Sequence, residues 1–344
     1  MRWSRVLNVV ECHAEGEVGN VVTGGIGDVP GRTMFEKRLY LEQQRDDIRR
    51  LLLLEPRGGP SRNANIVLPA CDPEAQMGFV ILESTEYPPM SGSNTICVAT
   101  VLLETGMLPM REPVTELTLE APAGLIRVQC ECADGKVRQV RFTNQPAFVH
   151  YLQASIEVPS LGRLVVDVAY GGMTYVLVHA AAAGFALVPD EARAICELGQ
   201  RIKAAADAQL EAVHPENPLI RGITMTEFTG PLSRQDGTLH ARNAVVVSPG
   251  RLDRSPCGTG TCARLAAMHA KGEIATGETF IHESVIGSRF ASRIEAETHV
   301  GGRAAIVPSV AGQAWITGLS QLGLDPSDPW PLGYTLADTW QRAV

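Results

Sequence analysis

Two short segments carry side chains that could do chemistry: Met90-Ser91-Gly-Ser-Asn-Thr95 and Ser255-Pro-Cys257-Gly-Thr-Gly-Thr261. Each places a nucleophile-type residue before glycine and small polar residues, and an apolar stretch follows: Ile96–Glu104 in one case, Cys262–Lys271 in the other. This is the pattern of a side chain at the start of a buried helix. Backbone N–H groups there lack intrahelical acceptors, and the positive end of the helix dipole attracts anions. A carboxylate would dock at such a start. Two starts converging on one amino acid carboxylate would neutralise it and stabilise the enolate-like charge formed when the α-hydrogen leaves. The same field is expected to lower a thiol pKa toward thiolate, and the glycines let the backbone approach the ligand. Cys257 is therefore the general-base candidate.

The other cysteines, at positions 12, 71, 97, 130, 132, 196 and 262, read as buried core thiols. They form no CxxC…CxxC array, so no structural zinc site is expected. A serine before a helix ordinarily serves as its N-cap, and Ser91 on its own would be read that way. An internal repeat raises it. Ser91 and Cys257 lie 166 positions apart (257 − 91), and the same offset pairs Gly92 with Gly258, Thr95 with Thr261, Gly106 with Gly272 and Leu108 with Ile274. Gly106 suits the left-handed position after a helix end.

The elements that must position these residues follow from the surrounding pattern. The first ~90 residues read as strand-rich, with a helix over Asp46–Leu54 and a turn-rich loop at Glu55-Pro-Arg-Gly-Gly-Pro. A longer helix is expected over Asp190–Val213, ended by His214-Pro215. The two segments after Ser91 and Cys257 are apolar on most faces, so those helices should be buried. The expected fold is α+β, with two pseudo-symmetric lobes facing each other, each a β-sheet rolled around a central helix. Residues 1–160 would form the lobe carrying Ser91, closed by the last ~40 residues, and 161–344 the lobe carrying Cys257, with the ligand between them.

Composition excludes some classes of function. Among 344 residues, 45% are apolar and 20% charged, with a formal net charge of -8 and no basic run, so neither nucleic acid nor membrane is an expected partner. The N-terminal residues lack the apolar core of a leader peptide, and a reducing cytoplasm suits the free thiols.

Asp253-Arg-Ser-Pro-Cys257-Gly-Thr-Gly-Thr261 resembles the second catalytic motif of the proline racemase family. Met90-Ser91-Gly-Ser-Asn-Thr resembles its first, usually Met-Cys-Gly-His, and His13-Ala-Glu-Gly16-Glu17 its N-terminal segment. Glu55-Pro-Arg-Gly58 and Asp167-Val-Ala-Tyr-Gly171-Gly172 also fit, so the likeness runs from residue 13 to about 290. The resemblance implies the fold of diaminopimelate epimerase, with neither metal nor pyridoxal cofactor, and an enzyme that is often dimeric. It implies Ser91 and Cys257 as catalytic residues, with the amides of Gly92, Ser93, Gly258 and Thr259 on the substrate carboxylate and Asp253 on the ring amine. The family's amine-contacting His is replaced here by Ser93.

Ser91 departs from the family most informatively. Racemases and 4-hydroxyproline epimerases of the family typically use two cysteines, and serine is a poor partner for symmetric proton exchange. Dehydration of trans-3-hydroxy-L-proline has the α-hydrogen and the 3-hydroxyl on one ring face, so the second residue need not be a thiol. The leading expectation is therefore trans-3-hydroxy-L-proline dehydration to Δ1-pyrroline-2-carboxylate, ahead of 4-hydroxyproline 2-epimerisation. An amino acid binding module without turnover is the reading outside this class, and the retained thiol speaks against it. His13, His214 and His282 read as structural or surface residues.

Overall fold

The computed structural model describes residues 3–340. The chain forms two compact units, one from residues 3–142 with 312–340 and one from 143–311. The expected lobe boundary at residue 160 lies inside the second unit, in the turn of the hairpin between strands Ala147–Val158 and Gly162–Tyr170.

In the first unit, strands Arg5–Ala14 and Glu17–Gly24 form an antiparallel hairpin. Arg5–Ala14 pairs on its other side with Ala314–Leu324, so among the described residues the last strand completes the unit begun by the first. Beyond Glu17–Gly24 the pairing continues through Arg62–Leu68, Met77–Leu82, Val114–Ala121 and Gly124–Ala133. Helices α1 (Met34–Gln44) and α2 (Asp46–Leu53) pack their apolar residues against this sheet, with Leu41, Ile48 and Leu51 in one cluster with Leu7, Val22 and Ile66. The sequence patterning missed α1, whose mixed charged and apolar residues show little periodicity. Helix α3 (Gly92–Glu104) packs against strands Arg5–Ala14, Glu17–Gly24, Arg62–Leu68 and Ala314–Leu324. All its residues but Glu104 are buried, as expected from an apolar helix without a polar face.

In the second unit the strands close on themselves. Ala147–Val158, Gly162–Tyr170, Thr174–His179, Met225–Thr229, Thr238–Val247, Thr279–Glu283, Arg289–Val300 and Arg303–Gly312 pair in turn, and the last pairs back to the first. Helix α4 (Ala192–Gln209) and helix α5 (Gly258–Ala270) lie on different faces of these strands. Tyr175, Leu177, Val245 and Val247 share a cluster with Ala263 and Ala267 of α5, whereas Val176, Val178, Ala244 and Val246 share one with Ile195 and Ile202 of α4. Successive side chains of a strand point to opposite faces. Strands buried on both faces read as continuous apolar runs, which is why Thr174–Val178 shows no alternation. Helix α4 stops at Gln209, short of His214-Pro215, and its start follows a single 3-10 turn at Pro189–Glu191.

The two central helices reproduce the repeat. Each has 13 residues, and Gly106 and Gly272, after their ends, take φ 73° and 72°. A left-handed glycine there closes the helix without a Cβ penalty.

Candidate active site

Ser91 stands at the N-cap position of α3 with extended backbone, φ −150° and ψ 128°. It does not cap: its side chain accepts no backbone N–H of the helix. Thr33 shows the contrast, since its Oγ1 accepts from Glu36 N at 3.1 Å at the start of α1. The Ser91 hydroxyl instead accepts from Asn94 Nδ2 at 2.9 Å and lies 3.5 Å from Ser93 Oγ. Gly92 and Ser93, both buried, follow at the helix start. The first-turn N–H groups have no intrahelical acceptor, and the serine leaves them open to an anion.

Cys257 begins α5 with φ 63° and ψ 112°, a left-handed backbone that a residue with a Cβ rarely adopts. Such a conformation costs on the order of 1–3 kcal/mol and persists only where the surroundings enforce it. They do so here. Cys257 N donates to Ser255 Oγ at 3.1 Å, and Ser255 donates from both its N and its Oγ to Asp253 Oδ1, each at 2.9 Å. Thr261 Oγ1 donates to the Cys257 carbonyl at 2.7 Å. Gly258 and Thr259 follow at the buried start of α5.

The thiol is 6% exposed and sits 3.4 Å from the hydroxyl of Tyr175, which in turn lies 2.6 Å from Thr259 Oγ1. Burial, and next the Asp253 carboxylate, push the Cys257 thiol well above its ordinary range, while the Tyr175 hydroxyl and the Gly260 N–H draw it down. The sequence pointed to a thiol lowered by the helix dipole. In the structure desolvation outweighs that field, because the sulfur is enclosed rather than presented to water. Burial likewise raises the Tyr175 hydroxyl, so it remains a neutral donor or acceptor beside the sulfur.

Under the α5 start lies a polar group that the sequence reading did not find. Glu227 is fully buried, its Oε1 accepts from Asn243 Nδ2 at 3.3 Å, and its Oε2 has no hydrogen-bond partner. Burial pushes its carboxyl up to about 8 against the pull of Arg264 and of the Asn243 amide. A Cβ at Gly260 would stand 2.8 Å from Glu227 Oε2, so this glycine of the Cys-Gly-Thr-Gly segment makes room for a buried carboxyl. Asn243 also donates to Pro256 O at 2.7 Å and so ties the strand to the turn. The signal was present as an acidic residue inside Met225-Thr-Glu-Phe-Thr229, a strand buried throughout.

His282 is fully buried and structural. Arg264 Nη1 lies 3.0 Å from its Nε2, and a guanidinium only donates, so Nε2 accepts and Nδ1 carries the proton. Nδ1 then donates to Thr261 Oγ1 at 2.8 Å, and Thr261 Oγ1 in turn donates a hydrogen bond to the Cys257 carbonyl. Burial and the Arg264 cation hold His282 well below its usual range, which keeps this neutral tautomer. His13 accepts from Gly16 N and stacks on Trp315, and His214 packs against Phe148 and Tyr170. Among the described residues no group of three or more His, Cys, Asp or Glu could hold a metal ion, and no helix is long and apolar enough to cross a membrane.

A buried helix led by Ser91 in one unit and by Cys257 in the other is the recurring element of the fold. The chain belongs to the proline racemase family, whose model matches residues 9–335. It is similar to the crystal structure of a hydroxyproline epimerase from Agrobacterium vitis with bound trans-4-hydroxy-L-proline, at 39% identity and TM-score 0.91 over 100% of this chain and 99% of that one. A probable proline racemase from Agrobacterium radiobacter with bound carbonate is 40% identical, at TM-score 0.90 over 98% of each chain. A phenazine biosynthesis protein of the PhzF family from Bacillus anthracis shares the fold at 14% identity and TM-score 0.58, over 93% of this chain and 99% of that one.

Proposed function

We propose that this enzyme epimerises 4-hydroxyproline at its α-carbon, with Cys257 and Ser91 handling the α-hydrogen. The observation that carries the reading is the uncapped, buried start of α5, where a thiol held at φ 63° stands beside helix N–H groups. Those of Gly258 and Thr259, with those of Gly92 and Ser93, would hold the substrate carboxylate. Asp253, which braces the turn through Ser255, would also take the ring amine. Charge that develops at the carboxylate as the α-hydrogen leaves is stabilised by donors already in place. The likeness to a hydroxyproline epimerase over the whole chain supports this reading, and it moves epimerisation ahead of the dehydration that the sequence favoured.

Dehydration of trans-3-hydroxy-L-proline stands as the second reading, because Ser91 is a hydroxyl where a symmetric exchanger would hold a thiol. Purified protein given each hydroxyproline in deuterated water separates the two by NMR. Inversion with deuterium entering the α-position of trans-4-hydroxy-L-proline is the expected outcome. A pyrroline carboxylate from trans-3-hydroxy-L-proline, with no inversion of the 4-hydroxy isomer, would establish the second reading instead. No deuterium uptake from either would remove both.

A further inference from the structure

The Ser91 hydroxyl is held by a chain of amides whose orientation can be deduced. The main-chain oxygen of Asn20 only accepts, so the Asn65 atom 3.4 Å from it is Nδ2. The same nitrogen donates to Asn94 Oδ1 at 2.8 Å. Asn94 therefore turns its Nδ2 toward Ser91 Oγ, at 2.9 Å. Both asparagines are fully or almost fully buried, and the Asn94 carboxamide is pressed against Gly19, where a Cβ would stand 2.8 Å from its Oδ1. An amide N–H only donates, so the hydroxyl oxygen accepts at that contact and its own proton must point elsewhere. A donor on the oxygen also stabilises the anion left when that proton goes.

We propose that Asn94, oriented by Asn65, is a positioning residue that stabilises the Ser91 alkoxide, so that Ser91 gives its hydroxyl proton to the α-carbon in one direction and its alkoxide takes the α-hydrogen in the other. This rests on the reading of the chain as an α-carbon epimerase. In the first of these directions Cys257 acts in its deprotonated form, the minor one for so enclosed a sulfur, and forms an S–H bond as the Cα–H bond breaks. The electron pair left on Cα takes the hydroxyl proton of Ser91, and that O–H bond breaks. The resulting alkoxide keeps the N–H of Asn94 and regains a proton from water, while the thiol returns one to water, so no net proton is consumed.

The test combines turnover with a titration that needs no substrate. Asn94→Asp puts an acceptor where the donor stands. In the Ser91 enzyme it should lower kcat by about 10²-fold, the usual effect of losing one donor to a developing oxyanion, with little change in KM. Ser91→Cys replaces the hydroxyl with a group that ionises without such help, and in that background the loss from N94D should shrink to a few-fold. An equal loss in both backgrounds would show a merely structural role and overturn the proposal. Separately, the pH dependence of iodoacetamide labelling at position 91, read by mass spectrometry, gives the ionisation of the introduced thiol. N94D should raise it by about one pH unit or more. An unchanged titration would overturn the proposal whatever the substrate proves to be. Absence of α-hydrogen exchange in the unsubstituted enzyme, with the titration shifted as expected, would instead locate the failure in the epimerase reading.

Discussion

The starts of α3 and α5 occupy equivalent places in the repeat and are built on opposite plans. Thr95 and Thr261 make the same bond, each donating from Oγ1 to the carbonyl of the residue four before it, at 2.8 and 2.7 Å. The next pair diverges. Asn94 sends an amide to the Ser91 hydroxyl, whereas its counterpart Gly260 has no side chain and leaves the space to the Glu227 carboxyl. The backbone diverges too, extended at Ser91 and left-handed at Cys257. In the proposed epimerisation, a hydroxyl fixed by a donor and a thiol set beside a tyrosine hydroxyl and over a buried acid would meet the α-hydrogen in different surroundings. The lesson is that a repeat conserves how a helix start is tied down more readily than what the leading side chain is asked to do.

The sharpest way to break this comparison is to remove the sulfur. Cys257→Ala should lower turnover by about 10³-fold or more, since general-base assistance alone supplies about 10²–10⁴-fold. Retained activity, measured as α-deuterium uptake, would transfer the chemistry to another group. Glu227 gives the next largest effect, on stability. Its ordinary value is 4.5 and the fold raises it to about 8. Between these the folded carboxyl stays protonated while the unfolded one ionises, so the unfolded state gains as pH rises, and the effect levels off above about 8. Each unit of displacement is worth about 1.4 kcal/mol. Glu227→Gln removes this dependence, so its melting temperature should gain on that of the parent as pH rises from 4.5 to about 8. A constant difference between the two proteins would mean that the carboxyl does not titrate as its burial requires.

The smallest effect separates the two threonines. Thr95→Val should cost about 1 kcal/mol, one hydrogen bond in a nearly isosteric swap. Thr261→Val also leaves the buried Nδ1–H of His282 without its acceptor, and should cost about 2–3 kcal/mol. Denaturant unfolding of the two variants checks this, and equal losses would show that His282 is not part of the support for the α5 start.

Much of the fold was legible before any coordinates. Local composition was enough to place helices near Ile96 and Cys262, because small and apolar residues without a polar face can only be buried, and the glycines that end them sit at the repeat offset. Helix α1 escaped because its residues lack a clear period, and the end of α4 because propensity persists past the point where packing ceases. The polar residues around each start escaped for another reason. Asn65, Tyr175, Glu227 and His282 come from strands and lie 16 to 84 residues away in sequence from the groups they touch. Nothing in their local patterns marks them except a charge or an amide inside an apolar run.

The sequence by itself determined where the two helices begin and which side chains lead them, because glycine, proline and small polar residues act on the backbone within a few positions. Only the tertiary structure decided what those side chains can do. Protonation and donor direction depend on burial and on partners that pairing of distant strands brings within about 3 Å, and no local pattern encodes those.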